Sequence, residues 1–123
     1  MNKHEFISNV RQAVYEPAVR GVLSSLEKPP GRSPSPKLVA LAKWFGGLSQ
    51  ENQSCVRAIV SLSARDAVFG MLCVLDGVVS ISTSGEEGMS LELRATNQLE
   101  SHLLNGPDGP YLHELFADEV PPL

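Results

Sequence analysis

The chain is poor in the features that most directly announce a function. It has 2 cysteines in 123 residues, too few for a disulfide framework, and neither belongs to a CxxC pair. Cys55 and Cys73 stand 18 positions apart on a predicted common helix, about 27 Å of rise. A disulfide needs about 6 Å between Cα atoms, so each is read as a small buried hydrophobe. There is no basic excess: the formal net charge is -4 and the pI about 5.3, which argues against a nucleic-acid partner or an anionic membrane surface. No uninterrupted apolar run approaches the roughly 20 residues that cross a bilayer, and MNKHEFISNV carries no apolar signal core. A cytoplasmic location and no membrane partner are therefore expected. A GxxxxGK[ST] loop, an HExxH pair, a GxSxG elbow and a Rossmann glycine pattern are all missing, so no cofactor, metal or enzyme class is assigned.

A single domain over residues 1–123 fits this length. Phe6, Val10, Ala13 and Val14 form a helical stripe, and Pro17 either kinks it or starts a second helix using Val19, Leu23 and Leu26. Residues 27–36, EKPPGRSPSP, hold four prolines and predict an extended surface connection. Ser35 and Pro36 then supply a cap and a first-turn proline, with Leu38, Leu41, Ala42, Phe45 and Leu48 on one face and Trp44 beside them. The Trp44-Phe45 pair is read as core or subunit contact.

Ser49 caps the predicted long helix, which runs from about Gln50 to Asp76. Its first half places Arg57, Ser61 and Arg65 on a wet row and Cys55, Ile59 and Leu62 opposite, while its second half is apolar all round. Asp66 continues the apolar row toward Phe69 and Cys73. An acid there is read first as buried against an arginine such as Arg11, Arg20 or Arg94, with two alternatives: membership of a pocket, or simple exposure at the boundary where the helix becomes buried. Gly70 costs roughly 1 kcal/mol relative to alanine, tolerable where another backbone approaches. Asp76, at the C-terminal end where negative charge is disfavoured, is expected to turn outward or bond into the next connection.

Beyond Gly77 the period becomes that of strands. Val79 to Ser82 and Leu91 to Ala95 alternate about the turn TSGEEGMS, and a third strand is expected around Leu99 to Leu104. A turn at NGPDGP and a short helix around Tyr111 to Phe116 close the chain. The predicted class is α+β, with N-terminal helices, a long central helix packed on a small antiparallel sheet, and a short C-terminal helix.

The densest polar cluster is His102, Asn105, Asp108, Tyr111, His113 and Glu114. Histidines with carboxylates can relay protons or bind zinc, but this spacing matches no metal signature. The weak candidates for catalysis are Asp66, His102, Asp108 and His113. Turn hydrogen bonds explain Asp108 equally well, and His113 flanks the apolar pair Leu112 and Leu115.

RDAVFGMLCVLDGV and LLNGPDGPYLHELF, together with LELRAT, resemble a family of small uncharacterised bacterial proteins over roughly residues 38–116. The resemblance implies no catalytic residues; proteins of this kind include toxin-neutralising and accessory partners. The function expected is that of a small interaction or accessory protein, regulating or neutralising a partner and forming a two-fold homodimer. The alternative is a ligand-binding protein or enzyme using Asp66, Asp108 and the histidines.

Overall fold

The computed structural model describes residues 1–81 and 89–123. The N-terminal stripe becomes a helix that never breaks at Pro17. Helix α1 (Lys3–Val10) begins with a capping box, in which Glu5 N–H donates to Asn2 Oδ1 at 2.9 Å and Asn2 N–H donates to Glu5 Oε2 at 3.1 Å. A π-helical turn, Arg11–Tyr15, leads into α2 (Glu16–Glu27). Pro17 has no N–H, and its ring would press on the carbonyl four residues back in a regular helix. The wider turn solves this: Glu16 N–H reaches the Arg11 carbonyl five residues back, and the chain stays right-handed helical on both sides. Helix α2 ends at Lys28, whose extended backbone is what a residue before proline prefers.

Pro36 opens α3 (Pro36–Gly46) in the first turn, as expected, but Ser35 does not cap it with its side chain. Helix α4 (Gln50–Leu75) is capped by Ser49, whose hydroxyl accepts from Asn52 N–H at 3.2 Å. Its C-terminus is a Schellman closure. Val78 N–H donates to the Cys73 carbonyl at 3.0 Å and Gly77 N–H to Val74 at 3.1 Å, with Gly77 at φ 77°.

Among the described residues the sheet has two strands, β1 (Arg94–Thr96) and β2 (Ser101–Leu103), antiparallel in the register Arg94↔Leu103, Ala95↔His102, Thr96↔Ser101. Asn97 folds the turn between them, its Oδ1 accepting from Leu99 and Glu100 N–H. The predicted third strand is therefore real and pairs with the second. Of the predicted first strand, Val79 to Ile81 is not strand, and Ser82 lies outside the described residues, as does most of the TSGEEGMS turn.

Helix α5 (Leu112–Glu119) supplies the centre of the core. Leu112 and Phe116 are fully buried with Ile7 of α1, and Leu72 of α4 and Val120 complete the cluster. Tyr15 meets Phe116 edge-on at 6.1 Å, and Leu93, just before β1, packs on the same cluster. The architecture is α+β, with α4 against α2 and α5 and the small sheet alongside α1.

Candidate functional site

The Schellman closure aims Asp76 at the start of α5 instead of outward. Its side chain is 2% exposed and accepts three bonds: from Leu112 N–H at 3.1 Å, from His113 N–H at 2.9 Å and from His113 Nδ1 at 2.6 Å. The charge that is disfavoured at the end of α4 is favoured at the start of α5, and the second environment decides. A carboxylate only accepts, so His113 donates from Nδ1 in this bond. Phe69 meets the ring edge-on at 5.5 Å and Tyr111 stacks on it at 5.4 Å. The pair is an inter-helix cap packed in aromatics.

Asn105 makes a second anchor. Its Nδ2 donates to the carbonyls of Leu75 at 2.6 Å and Leu91 at 2.7 Å, while Oδ1 accepts from Leu93 N–H at 2.8 Å. It thus joins the end of α4 to the segment leading into β1. Asp108 acts through its backbone: Lys3 Nζ donates to the carbonyls of Gly106, Asp108 and Pro110 at 2.8–3.0 Å. That ammonium fixes the NGPDGP turn to α1.

Asp66 departs most from expectation. Its side chain is 61% exposed and its partner is the adjacent Arg65, at 3.1 Å. Arg11 instead bridges Glu16 and Glu119, and Arg94 pairs with Glu92. Arg65, assigned to the wet row, is the buried member of the pair, 10% exposed. Its Nε donates to the Val120 carbonyl at 3.0 Å and its guanidinium lies 4.9 Å from the Phe69 ring centre. The helix is rotated relative to the predicted amphipathic split.

The predicted polar cluster therefore separates into parts. His113, Tyr111 and Asp76 come together. His102 lies on β2 with Nε2 3.2 Å from Glu100, both half exposed. His102 and Asp108 share a shallow groove of about 560 Å³ with His4, Lys3 and Glu5. Among the described residues no three His, Cys, Asp or Glu side chains are placed to hold a metal ion. Cys73 is buried beside Asp76; loss of hydration and then the nearby carboxylate push its thiol above the ordinary 9.0, and Cys55 is exposed.

Rotation of α4 leaves apolar side chains outside. Ile59 is 62% exposed, Met71 61% and Leu62 36%, and Trp44 on α3 is more than half exposed, which removes it from the core. Helix α4 contains an 18-residue window with mean hydropathy 1.7, of which 11% is buried. By length and composition alone it could cross a membrane, although its inner side packs on α2 and α5. No family model matches the chain, and no curated protein or solved structure matches it either.

Proposed function

We propose that the protein is a small interaction or accessory protein that presents the outer face of α4 to a protein partner. The exposure of Ile59, Leu62 and Met71 on a helix whose apolar window is 11% buried carries this reading. Burying one such aliphatic side chain contributes about 1.5–3 kcal/mol, so a few of them suffice for a specific complex. The acidic balance, a net charge of -4, fits a protein-interaction role better than a nucleic-acid or membrane-surface one. Insertion of this face into a bilayer is disfavoured because Asp66 stands in it, at about 2.5–3.5 kcal/mol for a mid-membrane charge.

The alternative, a ligand-binding protein or enzyme, finds its best footing in the open groove with His4, His102 and Asp108. It is the weaker reading because Lys3, the ammonium lining that groove, is already bound to three carbonyls. Affinity capture from an extract of the source organism tests the interaction reading. A protein held by the wild type and by the control Val22→Glu should be lost with Ile59→Glu, and retention by Ile59→Glu would count against the α4 face.

A further inference from the structure

Cys55, Ile59, Ser63, Ala67 and Met71 recur every four residues along α4, and all five are exposed. Residues four apart form one of the ridges by which helices pack. This ridge is self-complementary in size when run antiparallel to itself. With Ser63 as the midpoint, Ile59 faces Ala67 and Met71 faces Cys55, so each large side chain meets a small one, and Ser63 meets its own copy. Leu62, Asp66 and Gly70 form the neighbouring row, also exposed, with Asp66 already paired to Arg65. Among the described residues, no atom beyond its own stretch of helix lies within 4 Å of the place a Cβ on Gly70 would occupy, so their packing does not account for a glycine inside this helix.

The area of the chain points the same way. It exposes 8599 Å², whereas a compact monomer of 13.3 kDa exposes about 6,500 Å². Assigning the seven residues outside the described set the area of an extended chain, roughly 160 Å² each, still leaves an excess of about 1,000 Å². A standard two-chain interface buries about 800 Å² per partner.

We infer that the occupant of this face is a second copy of the chain, with the α4 ridges crossing antiparallel on a two-fold axis near Ser63. This rests on the interaction reading of the α4 face and names its partner. Closed two-fold pairing uses the same patch on both subunits, which a ridge of this symmetry supplies. Both copies keep the inner side of α4 on α2 and α5, so association requires no unfolding.

Sedimentation of the purified full chain from about 1 to about 200 µM should show a dimer. Ile59→Arg, at a site open to solvent, should raise the dissociation constant on the order of 100-fold or more with an unchanged far-ultraviolet spectrum. Val22→Arg on α2 should leave association intact. In a Cys55→Ser background, Ser63→Cys should form a covalent dimer on mild oxidation. A wild type that stays monomeric throughout, or a dimer untouched by Ile59→Arg, overturns the second copy. Partner capture by the same face is a separate measurement, so a monomer with a captured partner sinks this inference and spares the interaction reading.

Discussion

Replacing Asp76 should cost more stability than replacing any other acid in the chain. Asp76→Ala removes the acceptor for Leu112 N–H, His113 N–H and His113 Nδ1, and the side-chain site is 2% exposed, so water cannot readily substitute. Loss of a helix cap costs about 0.5–2 kcal/mol and a hydrogen bond to a charged group about 1.5–3 kcal/mol. The three bonds share one carboxylate and do not add fully, which places the total at about 3–4 kcal/mol. Against about 6–18 kcal/mol for a domain of this length, the variant still folds. Asp76→Asn keeps an acceptor but turns an NH₂ toward donors, and about 2 kcal/mol is expected.

Urea unfolding followed by circular dichroism measures these losses, and amide exchange at Leu112 and His113 locates them. The helix should open locally at those two amides before the domain does. A cycle with His113→Ala isolates the side-chain bond, with about 1–2 kcal/mol of coupling expected. A loss below about 0.5 kcal/mol for Asp76→Ala, no larger than that for the exposed Asp66→Ala, would refute the inter-helix cap.

Asp66→Asn, whose side chain is 61% exposed, should change stability by less than about 1 kcal/mol in the same urea experiment; a larger loss would restore the buried-pair reading. Asn105→Ala frees two carbonyls and an N–H that join α4 to the β1 approach, and should cost about 2–4 kcal/mol by unfolding, with Asn105→Asp failing to rescue because it cannot donate. Thiol titration of the native protein should show Cys55 reacting fast and Cys73 only on opening. Because burial and the Asp76 carboxylate raise the folded Cys73 thiol above 9.0, its contribution to stability is complete below the unfolded value and declines as pH rises past it; urea unfolding at about pH 8 and about pH 10 should show lower stability at the higher pH.

What was legible before the structure is what local chemistry determines. Ser49 and Gly77 bound α4 because a cap and a left-handed closure each need only a few neighbouring residues. Pro17 announced irregularity, but whether it kinks or widens the helix depends on how the preceding turn can rearrange. The orientation of α4 is not legible in its sequence because both of its sides carry apolar residues, leaving charge as the guide. Arg65 defeats that guide: its stem packs inward and its head finds the Val120 carbonyl and the Phe69 ring. Asp76 with His113, and Asn105 with Leu75, join positions 37 and 30 apart and depend on where α5 and the sheet dock. No periodicity within one element encodes them.

The anchors share a destination, and that separates stability from the proposed activity. Asp76 holds the first turn of α5, Arg11 reaches Glu119 in its last turn at 2.9 Å, Arg65 holds the residue after it, and Lys3 fixes the loop before it. A helix of eight residues has little intrinsic stability in water, so these bonds and the burial of Leu112 and Phe116 keep it in place. Its docking covers the inner side of α4 and leaves the Ile59 ridge outside. Substitutions on the ridge therefore meet no core side chain, whereas substitutions at the anchors act on α5 first. That difference makes the two faces of one helix independently testable.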